Sequence, residues 1–196
     1  LSLKIAHKLT KNFLKLEKQL IVESNKKNQQ IRIVEKEADL SCDLLVDGVN
    51  FKLSGKVDRI DFEGDILRII DYKTGKVEQS EIVFSEFDEL IENPGKSKAF
   101  QLLMYAYLYL KISPNYVGLN VVAGNFFFKN LKPGLLKISK KINSKQSEVI
   151  QITQTILDEF EEQLKVVLTK INNNPFRQTK DLKNCEWCDY KSICKR

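Results

Sequence analysis

Two acidic residues and a lysine interrupt two otherwise apolar stretches in the first half of the chain. Asp58 lies within residues 55–62, and Asp71 lies within residues 66–73, two positions before Lys73. Because side chains alternate between the two faces of a β-strand, Asp71 and Lys73 are predicted to share a face. Carboxylates beside a lysine can hold a divalent cation and balance charge on a phosphate, so these residues are the first candidates for chemistry.

The register of the two strands decides whether the two carboxylates meet. We expect Gly64-Asp65 to form a two-residue hairpin loop, which places Asp58 directly opposite Asp71. Opposed residues have Cβ atoms about 5 Å apart, where two carboxylates repel each other unless a cation lies between them. Such oxygen ligands suit Mg²⁺ or Mn²⁺. A three-residue loop would put the acids on opposite faces, and solvent-exposed acids at a sheet edge are the alternative interpretation.

The cysteines form a second candidate site. Cys185, Cys188 and Cys194 have the short spacing of thiolate metal ligands, whereas Cys42 stands alone in a predicted strand. Zinc and a [4Fe–4S] cluster both need four ligands, so the three tail cysteines need a fourth. Cys42 is more typical of a buried small apolar side chain. The alternative is a metal-free tail whose apolar side chains pack on the domain, namely Trp187, Tyr190 and Ile193.

The composition is that of an ordinary globular domain. The chain has 196 residues, of which 42% are hydrophobic and 30% charged, which excludes collagen-like, low-complexity and wholly disordered proteins. The length predicts one domain, and no apolar run is long enough for a membrane span. The net charge of +6 favours an anionic partner only weakly.

Hydrophobic periodicity predicts the elements that position these residues. Steps of three and four residues from Leu3 to about Glu23 predict an amphipathic helix, and the apolar residues 97–110 predict a buried one. A short helix is predicted at 82–92 and a long amphipathic helix at 147–171. Further strands are predicted at residues 31–34, 44–46, 49–53, 117–128 and 135–138. This order indicates an α/β fold with a mixed central β-sheet flanked by helices.

The segments around the candidate residues resemble the motifs of the PD-(D/E)XK nuclease superfamily, and within it the RecB/AddB-type exonuclease domains. Residues 55–61 read Gly-Lys-Val-Asp-Arg-Ile-Asp, and residues 69–76 read Ile-Ile-Asp-Tyr-Lys-Thr-Gly-Lys. Residues 101–105, Gln-Leu-Leu-Met-Tyr, are similar to the family's Q-x-x-x-Y motif. The resemblance covers residues 31–109 and the tail. It implies a restriction-endonuclease-like core with a C-terminal Cys-rich tail.

Matched position by position, the resemblance implies roles for the hairpin residues. Asp58 and Asp71 correspond to the two metal-binding acids of the family, and Lys73 corresponds to its catalytic lysine. The backbone carbonyl of Tyr72 corresponds to a further metal ligand. Glu37, on the preceding strand, is a weaker candidate acid for the same cavity. The alternative is that Glu37 is a solvated surface residue.

The resemblance also extends to a helix and differs at one position. Gln101 and Tyr105 are one helical turn apart and correspond to residues that position the substrate or metal-bound groups. Many RecB-type members carry a metal-binding histidine on an N-terminal helix. His7 is the one histidine of this chain, no glycine precedes it, and we expect it to be a surface or packing residue. The motif histidine is therefore expected upstream of Leu1.

The implied function is that of a sequence-nonspecific DNA exonuclease domain in DNA repair or recombination, using Mg²⁺ or Mn²⁺. The expected partners are DNA and a helicase domain or subunit, with no membrane, and the expected location is the cytoplasm. A catalytically impaired DNA-binding module of a helicase-nuclease and a metal-stapled interaction domain are the alternatives.

The resemblance implies an iron–sulfur cluster as well. Relatives close such a cluster with one cysteine far upstream of a cysteine triplet, so the cluster is expected to be incomplete in this chain. The chain is accordingly expected to be an N-terminally truncated fragment. Residues 1–176 form the predicted nuclease-like domain, and residues 177–196 form the Cys-rich tail.

Two groups of basic residues are predicted to contact DNA phosphates, with a solvated surface as the alternative for each. The first follows the Pro133-Gly134 turn and consists of Lys137, Lys140, Lys141 and Lys145. The second lies in the tail and consists of Lys180, Lys183, Lys191, Lys195 and Arg196. Neither pattern resembles base-edge recognition.

Overall fold

The computed structural model describes residues 2–75, 78–175, 177–179, 182–186 and 188–195. Its helices are α1 (Ser2–Lys26), α2 (Glu89–Glu92), α3 (Ser97–Ile112) and α4 (Gln154–Asn173). Its strands are β1 (Ile31–Val46), β2 (Val49–Glu63), β3 (Ile66–Lys73), β4 (Val83–Phe84), β5 (Asn120–Phe127), β6 (Leu136–Lys137), β7 (Ser139–Lys141) and β8 (Ser147–Val149). Short 3-10 turns lie at Gln79–Glu81, Pro94–Lys96, Pro114–Tyr116 and Leu182–Cys185.

The central sheet is mixed, as predicted. Its strand order is β1-β2-β3-β5-β6, and β3 pairs with β5 in parallel whereas the other neighbours are antiparallel. A second sheet of order β4-β7-β8 lies beside it. The parallel pair brings the carboxyl ends of β3 and β5 to the same edge, with Lys73 opposite Phe127.

Two tight turns fix the register of the long antiparallel hairpins. Asp47 and Gly48 both have positive φ, 50° and 78°, which is the backbone of a two-residue turn matched to the twist of its strands. Gly64 also has positive φ, 63°, a conformation that costs glycine little. The Gly64-Asp65 turn therefore joins β2 to β3 without an extra residue, as predicted.

One face of the central sheet, the α3 face, is covered by α3 and then α4. Eight residues of α3 are buried, in agreement with the prediction of a buried helix. Phe160 of α4 packs edge-on against Phe100 and Tyr107 of α3, with ring centroids 5.3 and 6.1 Å apart. This layer contains most of the hydrophobic core and holds α3 in a fixed position over β2 and β3.

The opposite face, the α1 face, is covered by the first helix. The ring of Phe13 lies 5.2 Å from that of Tyr72 and 5.5 Å from that of Phe126. Ser24 donates a hydrogen bond of 2.8 Å to Glu63 near the other end of the helix. The sheet is thus enclosed between one helix on this face and two on the other. None of the described helices combines the length and apolarity needed to cross a bilayer.

Four predicted elements need correction. Residues 82–92 are helical only at Glu89–Glu92, because Val83 and Phe84 pair with β7 as a strand. The helix predicted at 147–171 begins only at Gln154, since Ser147–Val149 also pairs with β7. The separate strands predicted at 31–34 and 44–46 are one continuous strand with a register shift between Ile33 and Glu35.

Glu161 is expected to contribute to stability in a pH-dependent way. Burial raises its pKa, but hydrogen bonds from Lys111, Tyr107 and Lys165 outweigh burial and lower the pKa to about 2. The stabilisation is therefore complete above the unfolded value near 4.5 and is lost as pH falls through about 2. Glu161→Gln should cost up to about 3 kcal/mol in urea unfolding at pH 7 and less than half of that at pH 3.

The neighbouring Glu162 supplies the matched control. Its ion pair with Lys165 is exposed to solvent, so Glu162→Gln should change stability by less than about 1 kcal/mol at either pH. A loss in Glu161→Gln that is the same at pH 7 and pH 3 would show that packing, not charge, is responsible.

Candidate active site

Asp58 lies at the point where the β2–β3 ladder ends. The pairs from Glu63–Ile66 to Arg59–Ile70 follow the predicted register, and one further step places Asp58 opposite Asp71. The backbone N–H of Tyr72 donates to Asp58 Oδ2 at 2.6 Å. In a continued antiparallel ladder, the Tyr72 N–H would donate to the backbone of β2. Here it donates to the Asp58 side chain instead and fixes that carboxylate beside β3.

Asp71 is the buried acid of the pair, with 4% of its surface exposed. Its Oδ2 accepts hydrogen bonds of 2.8 Å from Lys73 Nζ and 2.8 Å from Asn125 Nδ2. Burial raises the pKa of the Asp71 carboxyl; Lys73 opposes this shift, and the negative charge of Asp58 adds to it. Asp71 is therefore a buried carboxyl that is held by Lys73 and Asn125 and is influenced by the negative charge of Asp58.

Lys73 connects the strand to α3. Its Nζ donates to Gln101 Oε1 at 2.7 Å, and Gln101 Nε2 donates in turn to the Tyr105 hydroxyl at 2.9 Å. Burial raises the pKa of Tyr105, and the charges of Asp71 and Asp58 raise it further. Hydrogen bonds therefore join the side chains of Asp71, Lys73, Gln101 and Tyr105 into one group, while Asp58 is bonded to the backbone of Tyr72.

Gly55 makes room for this group. A Cβ atom at Gly55 would lie 3.1 Å from both Tyr105 Cε1 and Leu108 Cδ1. The absence of a side chain lets the Tyr105 ring pack directly on β2, so the glycine of the Gly-Lys-Val-Asp segment has a steric role in the site.

Each carboxylate keeps one oxygen available. Among the described residues, Oδ1 of Asp58 and Oδ1 of Asp71 have no hydrogen-bond partner, while each Oδ2 is held by the protein. Two hard oxygen donors beside a lysine suit Mg²⁺ or Mn²⁺, so the residues fit such a cation. The arrangement can hold a divalent cation and place a second positive charge, Lys73 Nζ, near an anionic substrate.

Asn125 belongs to the site although sequence reasoning did not select it. It is fully buried on β5, opposite Asp71 in the parallel register, and its Oδ1 has no partner among the described residues. The available signal was an amide within an otherwise apolar predicted strand. That signal could not be interpreted without the pairing of β3 with β5.

On the α1 face, Tyr72 is held by several contacts. Its hydroxyl accepts a 3.3 Å hydrogen bond from Arg59 Nη1, and the same Nη1 contacts Glu17 Oε2 at 2.7 Å. Arg59 Nη2 lies 2.5 Å from Asp61, which also accepts two hydrogen bonds from Arg68. A buried ionic network therefore supports the strand from the side opposite the carboxylates.

Two other predicted residues, Glu37 and His7, make no hydrogen bond to this group among the described residues. Glu37 has an exposed side chain (65%) and forms a 2.8 Å ion pair with Lys56, so its carboxylate is directed to a surface lysine. Its backbone has positive φ, 52°. His7 is exposed on α1, as expected for a surface residue.

The cysteines do not assemble into a site in the described part of the chain. Cys185, Cys188 and Cys194 are partly exposed free thiols, and no group of three or more His, Cys, Asp or Glu that could hold a metal ion occurs among the described residues. Cys42 is partly buried and packs against the hydrophobic core, and burial raises the pKa of its thiol.

The predicted basic groups lie on different elements of the chain. Lys140 is paired with Glu86 at 3.2 Å, whereas Lys141 and Lys145 are exposed without an ion pair in the described region. Lys191 and Lys195 of the tail are exposed. Lys180, Arg196, Trp187 and the side chain of Lys183 lie outside the described residues.

Comparison with known proteins gives one family match. A model of the PD-(D/E)XK nuclease superfamily matches residues 4–195 of the chain. No curated protein matches the sequence. Among solved structures, the chain is similar to the crystal structure of SSO0001, with 15% sequence identity and a TM-score of 0.41. That similarity covers 92% of this chain and 65% of SSO0001, so the chain spans less than two thirds of that protein.

Proposed function

Because the chain belongs to the PD-(D/E)XK nuclease superfamily, we propose that it is a metal-dependent deoxyribonuclease that removes nucleotides from DNA ends. Membership of the superfamily supports phosphodiester hydrolysis. Resemblance of the Gly-Lys-Val-Asp, Asp-Tyr-Lys and Gln-x-x-x-Tyr segments to RecB/AddB-type domains supports the exonuclease activity, the lack of sequence specificity and a role in DNA repair or recombination. A helicase domain or subunit is the proposed partner.

The carboxylate pair carries this proposal. Asp58 and Asp71 would hold Mg²⁺ or Mn²⁺ through their free oxygens, with the Tyr72 carbonyl as a proposed further ligand and Glu37 as a weaker one. When bound, the cation supplies Lewis-acid polarisation of the scissile phosphate. Lys73 orients water and stabilises the negative charge that develops on the phosphate, and Gln101 keeps the lysine in position.

The test is a cleavage assay on DNA of defined form. We expect the chain to release mononucleotides or short oligonucleotides from linear DNA with Mg²⁺ or Mn²⁺, and to spare closed circular DNA of the same sequence. EDTA should stop the reaction. If neither the linear nor the circular DNA is cut with Mg²⁺ or with Mn²⁺, the nuclease assignment is wrong. If the circular DNA is cut, the activity is that of an endonuclease and not an exonuclease.

Gln101 is expected to act as a positioning residue. Gln101→Leu removes the acceptor that holds Lys73 Nζ 2.7 Å away, so kcat for DNA cleavage should fall about 10- to 100-fold while KM changes little. Gln154→Leu on the exposed surface of α4 is the control and should cleave like the wild type. A Gln101→Leu variant whose loss appears only in KM would indicate a role in binding DNA instead.

A DNA-binding module without cleavage is the second candidate. The observation that favours it is the exposed position of His7, together with the absence of a third His, Cys, Asp or Glu at the carboxylate pair in the described part of the chain. DNA binding without cleavage in the presence of any divalent cation would support the DNA-binding module.

The tail cysteines remain a proposal of their own. Three thiols are one short of the four ligands that zinc or a [4Fe–4S] cluster needs, so the described tail does not fit either group by itself. We retain the cluster, the tail boundary at residue 177 and the metal-stapled interaction domain as predictions. Analysis of bound iron, sulfide and zinc after anaerobic purification tests the cluster and distinguishes it from a zinc site.

A further inference from the structure

A groove runs between α1 and the turn that follows β5. It encloses about 540 Å³. One wall consists of Asn12, Lys15, Leu16 and Gln19, which recur at helical spacing on one side of α1, and the other consists of residues 128–132. We refer to it as the α1 groove.

The charge of the α1 groove is entirely positive. Its three charged residues are Lys15, Lys129 and Lys132, and all three are exposed. None of them forms an ion pair with a described acidic residue, in contrast to Lys73 and Lys140. No Asp or Glu of the described residues lines the groove, and three amide side chains complete its polar surface: Asn12, Gln19 and Asn130. This is the chemistry that a phosphate backbone requires.

The groove also contains an aromatic side chain. Phe128 is half-buried, and its inner side packs on Phe13 with ring centroids 4.9 Å apart and on Tyr72 at 5.7 Å. A ring fixed in this way, with part of its surface open to the groove, offers a platform on which an unpaired base can stack.

The α1 groove begins next to the candidate active site. The backbone N–H of Phe128 donates to the carbonyl of Lys73 at 3.1 Å, and Lys73 is opposite Phe127 in the parallel pair. The carboxylates lie on the α3 face and the groove lies on the α1 face. A strand that passes over the carboxyl ends of β3 and β5 therefore reaches both.

We propose that the α1 groove binds a single nucleic-acid strand, with Lys15, Lys129 and Lys132 contacting its phosphates and Phe128 stacking on one of its bases. The proposal rests on the proposed function, because it makes the groove the continuation of the path of the substrate from the carboxylate pair. It uses residues other than the predicted basic groups of β6, β7 and the tail.

The experiment is a salt titration of DNA binding without cleavage. The chain is mixed with a fluorescein-labelled oligothymidylate in EDTA, and the anisotropy gives Kd at several NaCl concentrations. The triple variant Lys15→Ala, Lys129→Ala, Lys132→Ala should bind at least about tenfold more weakly, and the slope of log Kd against log salt should fall by about 2. Phe128→Leu should weaken binding about fivefold without changing that slope.

A second triple variant controls for net charge. Lys36→Ala, Lys52→Ala and Lys170→Ala remove the same charge from exposed positions at the β1–β2 side of the protein, away from β5. Equal losses in both triple variants, or an unchanged slope in the groove variant, would overturn the proposal. A hairpin duplex that loses as much affinity as the single strand would overturn the single-strand assignment.

Cleavage and binding can fail separately. A wild-type chain that binds through the groove but cuts no DNA would remove the proposed nuclease and leave the groove as a nucleic-acid site. If the wild type cuts DNA but the groove variant binds DNA like the wild type, the proposed nuclease stands and the groove is removed as a nucleic-acid site.

Discussion

Asp71→Asn is expected to reduce the rate of DNA cleavage by at least about 100-fold without lowering the melting temperature. The substitution keeps the size of the side chain but removes the charge needed to hold a divalent cation with Asp58. Burial raises the pKa of Asp71, so the folded protein disfavours the charge that the variant removes. Single-turnover cleavage of end-labelled DNA and thermal unfolding without metal measure the two effects.

The same acid predicts a dependence on pH. A raised pKa lets protons compete with the cation at a higher pH than for an ordinary Asp, so the metal concentration needed for half-maximal cleavage should rise as the pH falls. Asp65→Asn, in the exposed turn between β2 and β3, is the matched control and should cleave like the wild type. Cleavage by Asp71→Asn within a few-fold of that control would exclude Asp71 as a metal ligand.

Asp61→Asn is expected to have the largest effect on stability. Asp61 is fully buried and contacts Arg59 Nη2 at 2.5 Å and Arg68 at 2.6 and 2.9 Å. Without its charge, two buried guanidinium groups lose a shared counterion, and breaking a buried pair in this way costs about 3–5 kcal/mol. Urea unfolding at neutral pH followed by circular dichroism measures the loss.

An exposed acid on the same sheet is the comparison for this variant. Asp43→Asn on β1 should change the free energy of unfolding by less than about 0.5 kcal/mol. A cost below about 1 kcal/mol for Asp61→Asn would mean that Glu17 and Glu63, the other partners of the two arginines, are sufficient counterions.

The parts of the site that follow from local chain geometry could be predicted from the sequence. The Gly64-Asp65 turn sets the register of β2 and β3, and a period of two residues then places Asp58, Asp71 and Lys73 on one face. The helical spacing of Gln101 and Tyr105 correctly placed both side chains on the same face of α3. The family resemblance implied that both residues position the substrate or metal-bound groups, whereas the hydrogen bond from Lys73 to Gln101 was not predicted.

The parts that depend on distant pairing could not be predicted. Asn125 meets Asp71 only because β3 and β5 are parallel neighbours, a pairing between segments 54 residues apart. Val83-Phe84 is a strand because β7 lies beside it, although its own sequence is compatible with a helix. The aromatic contact between Phe13 of α1 and Tyr72 likewise joins the first described helix to a strand far along the sequence.

Tyr72 connects the two faces of the sheet. Its backbone N–H holds Asp58, while its ring and hydroxyl are held by Phe13 of α1 and by Arg59. Undocking of α1 would free the ring and weaken the bond that orders Asp58. By thermodynamic reciprocity, the proposed cation between the carboxylates would stabilise the docked helix, and a strand in the α1 groove would favour the ordered carboxylates. Groove binding and metal binding would then show positive cooperativity, although the groove and the carboxylates lie on opposite faces of the sheet.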